Sequence, residues 1–271
     1  MSDCVFADLH SHFLFGVDDG ARDLKASLRL IEQAQENNIK YMLATPHVSE
    51  VMNDEFSNLI ITNFARLQEE AAKRNYSVEI FLASEILFNE DIFKWLDAPW
   101  STINNNKKYL LFELPFFTLP LRVDEFIFHC KMKNITPVLA HPERYFYMHN
   151  KLDILLKWHS EGCLMQMDAG SIVGQFGKKV LNVSKKMAQM EFFSVVASDA
   201  HNVIGRNYVT MYDAFDIMRE LTDIDYVNML FCNNPLNIIK GNKVNPFPVK
   251  EETVNFSIKG VVDKLFGKNK W

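Results

Sequence analysis

The chain of 271 residues is 48% hydrophobic and 23% charged, with a formal net charge of −5. That is the composition of a soluble globular protein with apolar mass for a substantial core, in one large domain or two small ones. The acidic balance excludes a general attraction to nucleic acid or to an anionic membrane, and no apolar run approaches the roughly 20 residues that span a bilayer.

Cys4, Cys130, Cys163 and Cys232 lie far apart without a CxxC pair. They form neither a disulfide framework nor a zinc–cysteine pattern, and they suit a reducing cytoplasm. None is followed by arginine at the sixth position, so a phosphatase built on a Cys-x5-Arg loop is excluded. The N-terminus lacks a basic start and an apolar run before Asp8, so a signal peptide is not expected and the expected location is the cytoplasm.

Short apolar runs alternate with longer stretches of helical period. Val5–Leu9 reads as a strand. Leu24–Glu36 then sets Leu24, Leu28, Ile31 and Ala34 on one helical face, with Asp23 as its N-cap. Tyr41–Ala44 is the next strand, Phe56–Arg74 a long helix, and Val78–Ala83 a strand followed by a short helix at Asp91–Leu96. Tyr109–Phe112, Pro137–Ala140, Leu164–Met167 and Phe193–Ala197 read as strands. Between and after them come helices at Val123–Lys133, Leu152–His159, Lys178–Met190 and Val209–Leu221, and another before Asn233-Asn234-Pro235. About seven strand–helix units favour an α/β fold, a parallel sheet closed into a TIM-like barrel with helices outside. An open doubly wound sheet is the runner-up, weakened because no Gly-rich phosphate loop follows the first strand.

Residues 1–240 read as one barrel domain. After Gly241 the sequence reads as loop-like, and Phe256–Phe266 reads as a candidate amphipathic helix with lysines. This C-terminal extension, 241–271, either packs on the barrel or docks a partner.

Nearly every strand ends in a residue that can bind a metal. The first leads to His10 and His12, with Asp19 in the following loop, and the second to His47. The third leads to Glu85, the fourth to Glu113, the fifth to His141, the sixth to Asp168, and the seventh to Asp199 and His201. A parallel barrel gathers these ends around one mouth, where the active sites of such barrels form. Alternate strand residues share a face, so His10 and His12 can address one ion, and the same holds for Asp199 and His201. A bridging carboxylate such as Glu85 lets this donor set serve three ions. Imidazole and carboxylate without sulfur suit Mn, Fe, Zn or Co.

His129, His149 and His159 fall in or beside helices and read as surface or packing residues. A cluster of divalent ions with no side-chain nucleophile points to hydrolysis by a metal-bound hydroxide. Arg144 and Arg206, close after His141 and His201, are candidates to grip phosphate oxygens; the alternative is an ion pair on the barrel rim.

The segments DLHSHFLFGVDDG, LATPHV, ASEIL, LFELP, LAHPERY, MDAGSIVGQFG and ASDAHNVIGR together resemble the PHP (polymerase and histidinol phosphatase) superfamily. The Asp-Asp-Gly turn and the His-Pro-Glu-Arg run resemble in particular its bacterial tyrosine-protein phosphatases of the CpsB/CapC/YwqE type. The resemblance implies a distorted (β/α)7 barrel (the PHP fold) and a site of three divalent ions, with manganese the usual metal. It assigns one ion to His10, His12, Glu85 and Asp199, a second to Glu85, Glu113 and His141, and a third to Asp19, His47 and His201. It makes Arg144 and Arg206 the phosphate-binding, catalytic arginines.

The implied activity is removal of phosphate from tyrosine, on the tail of a bacterial tyrosine kinase that controls capsule or exopolysaccharide synthesis. Phe15 stands where the family commonly has proline, and Asp168 where asparagine is frequent. Two other readings are a PHP-type small-molecule phosphomonoesterase such as a histidinol phosphatase, and a non-catalytic kinase-binding regulator. The complete donor set speaks against the second. Phe116, Phe117, Tyr145 and Tyr147 are candidates to flank a phosphotyrosine ring or to pack between loops. In the Asp-Asp-Gly turn, Asp18 is expected to orient the turn or a neighbouring ligand.

Overall fold

The computed structural model describes residues 5–49 and 53–250. All strand pairs in it are parallel. The strands are β1 (Phe6–Ser11), β2 (Ile39–Ala44), β3 (His47–Val48), β4 (Glu79–Leu82), β5 (Glu85–Leu87), β6 (Tyr109–Glu113), β7 (Thr136–Ala140), β8 (Leu164–Asp168) and β9 (Val195–Ala197).

Two of the expected strands, Tyr41–Ala44 and Val78–Ala83, are each followed after a short break by a further strand that the sequence reading did not contain. Thr45-Pro46 separates β2 from β3, where proline has no N–H to give a ladder, and Ala83-Ser84 separates β4 from β5. The successive strands stay in line, because Ala83 N–H donates to the Ala44 carbonyl and Glu85 N–H to the Pro46 carbonyl. Pairing runs β1-β2-β4 on one side of these breaks and β3-β5-β6-β7-β8-β9 on the other. The ring closes just past β9, where Asp199 N–H donates to His10 O (2.8 Å) and His12 N–H to Ala200 O (2.7 Å). The result is the expected distorted barrel of parallel strands.

Helices α1 (Leu24–Glu36), α2 (Asp54–Lys73), α3 (Ile92–Trp95), α4 (Val123–Met132), α5 (Leu152–Ser160), α6 (Ala169–Val173), α7 (Lys178–Gln189) and α8 (Val209–Leu221) cover the strands. In α1, Leu28, Ile31 and Ala34 are buried as the period predicts, and Asp23 accepts the Ala26 N–H at 2.8 Å. The sequence reading contained no helix at α6. The Asp168 carboxylate caps it through Gly170 N–H at 2.7 Å, and Gly174, at φ +90°, ends it within two turns. Beyond α8, α9 (Ile224–Asn228) and α10 (Asn234–Ile239) lead to the lower end of the barrel. There Ile238, Ile239 and Val244 join strand residues Leu9, Leu43, Leu111, Val138 and Leu164 in one buried cluster.

Tyr109 O–H donates to Asn242 O and accepts from Val244 N–H, and the Phe247 ring meets Tyr226 edge-on at 5.0 Å. The stretch up to Lys250 is thereby seated on the barrel. The expected Phe256–Phe266 helix lies outside the described residues.

His159 is buried and stacks on Phe192 at 5.1 Å, and His129 packs edge-on against Phe93, both packing roles as read from sequence. Among the described residues no helix is long and apolar enough to cross a membrane.

Asp23→Ala removes the α1 cap and is expected to lower stability by about 1 kcal/mol. Urea unfolding with an unchanged m-value checks this; an unchanged midpoint would show that the cap contributes nothing.

Candidate metal centre and active site

All of the metal-capable strand-end residues read from the sequence meet at the C-terminal mouth of the barrel. Glu85 is the hub. Its Oε2 stands 3.1 Å from His10 Nε2, 3.4 Å from His12 Nε2 and 3.0 Å from His47 Nδ1, while its Oε1 lies 2.9 Å from His141 Nε2. Asp199 Oδ1 comes within 3.4 Å of His10 Nε2 and 3.3 Å of His12 Nε2. Glu113 reaches His47 Nδ1 at 3.4 Å and His141 Nε2 at 3.9 Å. Asp19 Oδ1 lies 3.6 Å from His47 Nε2 and 3.3 Å from His201 Nε2.

Three groups bring their ligand atoms within 4.8 Å of one another: His12, Asp19, His47 and His201; His10, His12 and Glu85; and His47, Glu85 and Glu113. His47 faces two of these groups, one from each ring nitrogen. The sequence reading had placed it with Asp19 and His201 alone.

Neighbouring residues fix which nitrogen His10, His12 and His201 offer. Gln166 Nε2 is committed to the Met167 carbonyl, so its Oε1 accepts from His10 Nδ1 at 2.8 Å and leaves His10 Nε2 with a lone pair toward the hub. His12 Nδ1 donates to Asp18 Oδ2 at 2.7 Å, and His201 Nδ1 to the Asp199 carbonyl at 2.9 Å. Asp18 also accepts the Gly20 and His47 N–H groups, the turn-orienting role expected of it. Gly20 is obligatory there: a Cβ would stand 2.0 Å from the His12 carbonyl oxygen. That close approach brings the Asp-Asp-Gly turn back over the mouth.

Asp8, which the sequence reading did not single out, holds the other edge. Its carboxylate accepts Ser198 Oγ–H at 2.6 Å and Ser198 N–H at 2.9 Å, just before Asp199. The signal for Asp8 was its period-two spacing to His10 on β1. Gln166 carried the same signal relative to Asp168, but a neutral amide drew no attention.

The donor set fits divalent cations. Glu85 Oε2 and Asp199 Oδ1 are buried and take no hydrogen bond among the described residues. Such orphaned anionic oxygens are costly unless a cation meets them. Burial and then the charge of Glu85 push the Glu113 carboxyl above its usual range, whereas the surrounding imidazoles overcome the burial of Glu85 and hold it well below. Two carboxylates this close repel, and a cation between them removes that penalty. The edges of 3.1 to 3.4 Å among His10, His12 and Glu85 match ligand atoms about 2 Å from one common centre, and Asp199 Oδ1 approaches that group from the side of the two histidines.

His141 and Asp199 both sit at positive φ (+35° and +50°), in the left-handed region that non-glycine residues rarely adopt. Strain of this kind, of order 1–3 kcal/mol per residue, gathers at functional sites.

Both arginines lean on the centre. Arg144 Nη1 donates to Asp199 Oδ2 (2.8 Å) and Asp168 Oδ2 (3.2 Å); Arg206 pairs with Asp199 Oδ2 and reaches His201 Nε2. Asp168 is buried, and burial pushes its carboxyl up to about 6 against the pull of Arg144 and Arg206. Its backbone is held by buried Glu143, whose Oε1 accepts the Asp168 N–H at 3.0 Å. The Arg144 guanidinium is further packed between Phe116 (5.1 Å) and Phe176 (4.2 Å).

Tyr145 and Tyr147 are packing residues. The first is wholly buried with its hydroxyl bonded to Ala140 O and Leu114 N–H, and the second donates to Pro115 O. Phe116 and Phe117 remain open to solvent, the latter 94% exposed.

Gln166→Leu removes the acceptor for His10 and is expected to weaken divalent-metal binding by about 10- to 100-fold. Calorimetric titration with Mn2+ reads this directly, and wild-type affinity in the variant would dismiss the orienting role.

Comparison with known proteins places this geometry. The family model for capsular polysaccharide synthesis, CpsB/CapC, matches residues 6–240. The tyrosine-protein phosphatase CpsB of Streptococcus agalactiae is 28% identical over 88% of this chain and 99% of its own. The tyrosine-protein phosphatase YwqE of Bacillus subtilis is 28% identical over 79% of this chain and 84% of its own. A solved chain from the crystal structures of YwqE from Bacillus subtilis and CpsB from Streptococcus pneumoniae, described as unique metal-dependent tyrosine phosphatases, superposes with a TM-score of 0.82. It is 26% identical, and the match covers 90% of this chain and 98% of that one. With the family pattern running through nearly the whole barrel, the chain belongs to the CpsB/CapC family.

Proposed function

We propose that the chain is a metal-dependent protein-tyrosine phosphatase. The observation that carries this reading is the convergence of imidazole and carboxylate ligand atoms on the orphaned oxygens of Glu85 and Asp199, with two arginines at their edge. In this reading the mouth holds three divalent ions, with manganese the leading candidate. His10, His12, Glu85 and Asp199 serve one, Glu85, Glu113 and His141 a second, and Asp19, His47 and His201 the third, with His47 also turned toward the second. Ions held there would supply Lewis acidity and an activated water for attack at phosphorus.

The chain's own groups do the rest. Arg144 and Arg206 take phosphate oxygens in charge-assisted, forked hydrogen bonds and stabilise charge that grows in the transition state. Asp199 and Asp168 hold the Arg144 fork in place beforehand. Phe116 lies nearly parallel to the His141 ring at 5.7 Å and, with Phe117, lays an open aromatic surface beside the mouth that suits a tyrosine ring. A phenolate leaving group, with a pKa of about 10, departs far more readily than an alkoxide, so an aryl phosphate asks less of a general acid. The matching family model is described by capsular polysaccharide synthesis, and in this reading the substrate is the phosphorylated tail of a bacterial tyrosine kinase governing that synthesis, met in the cytoplasm.

The expected outcome is Mn2+-dependent phosphate release from a phosphotyrosine peptide, abolished by chelator, with far slower turnover of histidinol phosphate. Release from neither substrate with any divalent metal would sink the phosphatase reading, and faster release from histidinol phosphate would favour a metabolite. His141→Ala should cut turnover on the order of a hundredfold or more while leaving the circular-dichroism spectrum unchanged. Full activity in that variant would remove His141 from the ligand set.

A further inference from the structure

Next to the metal-ligand cluster, and sharing His201 with it, lies a second cleft of 400 Å³. One wall is the start of α1 and the residues leading into it; the other is the loop His201-Asn202-Val203-Ile204. Three cations line it, Arg22, Lys25 and Arg29, all exposed to solvent. Lys25 and Arg29, four residues apart, share one stripe of α1 away from the buried face of Leu28, Ile31 and Ala34, and Arg22 stands just before the helix cap.

The one acid lining the cleft, Asp23, is already occupied. Its carboxylate caps Ala26 N–H at 2.8 Å and meets Arg22 Nε at 3.2 Å. Lys25 and Arg29 pair with no carboxylate among the described residues. In a chain of net charge −5, this is a local reversal of sign, placed at the edge of the mouth.

The cleft is also held in shape. Gln33 ties its walls together, donating to Val203 O at 3.0 Å and accepting from Tyr208 N–H at 3.3 Å. Asn202 Oδ1 accepts the N–H groups of Ile204 (3.1 Å) and Gly205 (2.6 Å) and fixes the turn of the loop. Ile204 stands 89% exposed on the rim, an apolar contact for a passing peptide. A groove held this way binds without a large ordering cost. Scattered surface lysines would show neither the shared cleft nor the shared ligand residue.

We propose that this cleft is a subsite for the anionic side chains that flank the reacting phosphotyrosine. Carboxylates or a second phosphorylated tyrosine would lie against Arg22, Lys25 and Arg29 while the phosphate enters the mouth. The enzyme then selects phosphotyrosines set in acidic or multiply phosphorylated sequence. This selectivity rests on the phosphatase reading, but the subsite itself is tested by binding alone.

The test uses the full chain loaded with Mn2+ and three labelled peptides, each carrying a non-hydrolysable phosphonate in place of the reacting phosphotyrosine. One is flanked by glutamates, one by a second phosphotyrosine and one by glutamines, and binding is followed by fluorescence anisotropy. The expected result is on the order of tenfold tighter binding of an anionic peptide than of the glutamine peptide, fading as salt is raised. Which anionic peptide gains identifies the side chain the cleft prefers.

In the double variant Lys25→Glu, Arg29→Glu the ratio should collapse to near one. Asp23→Asn, which retains a capping side chain, should raise the ratio. Equal binding of all three peptides by the wild type, or an undiminished ratio in the double variant, overturns the subsite. Absence of phosphate release from phosphotyrosine substrates, with the binding ratio intact, would instead remove the phosphatase reading and leave an anionic-peptide site.

Discussion

Everything at the mouth answers to one constraint, the complete burial of the Glu85 carboxylate. An ionised carboxyl removed from water costs several kcal/mol unless charge and hydrogen bonds compensate it. Glu85 is met by imidazoles of His10, His12, His47 and His141, which arrive from three other positions around the barrel. For that to happen the strand carrying Glu85 must lie in register with its neighbours, His47 beside Glu85 on one side and Leu111 on the other. The breaks at Thr45-Pro46 and Ala83-Ser84 fit this demand: each short outer strand is free to set its own direction while the long inner strands stay packed. The hydrophobic barrel beneath therefore carries a cap of buried imidazoles and carboxylates.

The next layer decides how well that cap is organised. Three of the histidines have the nitrogen that faces away from the cluster tied to a fixed acceptor: Gln166 for His10, Asp18 for His12, and the Asp199 carbonyl for His201. A neutral imidazole held in one tautomer binds a cation without first losing a proton. The same backbone carries strain at His141 and Asp199, and the bonds around it are what retain that strain. Asp199 N–H closes the barrel on His10 O, and Ser198 is clasped by Asp8 immediately before it.

How far this was legible in the chain depends on the residue. The HxH pair, the strand-end carboxylates and the arginines announce themselves, because charged or ligating side chains at the ends of apolar runs have few other reasons to be there. The barrel follows from the alternation of period two and period 3.6. The short strands β3 and β5 did not show, since two or three residues after Thr45-Pro46 and Ala83-Ser84 are too few to display a period. Helix α6 was hidden for a related reason: AGSIV is as apolar as the strand before it, and only the Asp168 cap marks the change. Tyr145 and Tyr147 looked available for a ring-binding role until backbone partners for both hydroxyls emerged, and such pairings depend on loops that touch only in the folded chain.

Asp199 joins the two halves of the site. Its Oδ1 faces His10 and His12 without a hydrogen bond, while its Oδ2 receives both Arg144 and Arg206. One carboxylate thus belongs to the metal-ligand cluster through one oxygen and to the arginine pair through the other. A cation held at Oδ1 would draw electron density from the group and make Oδ2 a weaker acceptor, leaving the guanidinium donors more available to a phosphate. Arg144 keeps a second anchor on Asp168 and its place between Phe116 and Phe176, so it retains its position. Arg206 has no second carboxylate partner among the described residues, and its Nε carries no hydrogen bond there. On the phosphatase reading, Arg144 is the more firmly anchored of the two phosphate-binding arginines, and Arg206 the one held through Asp199 and His201.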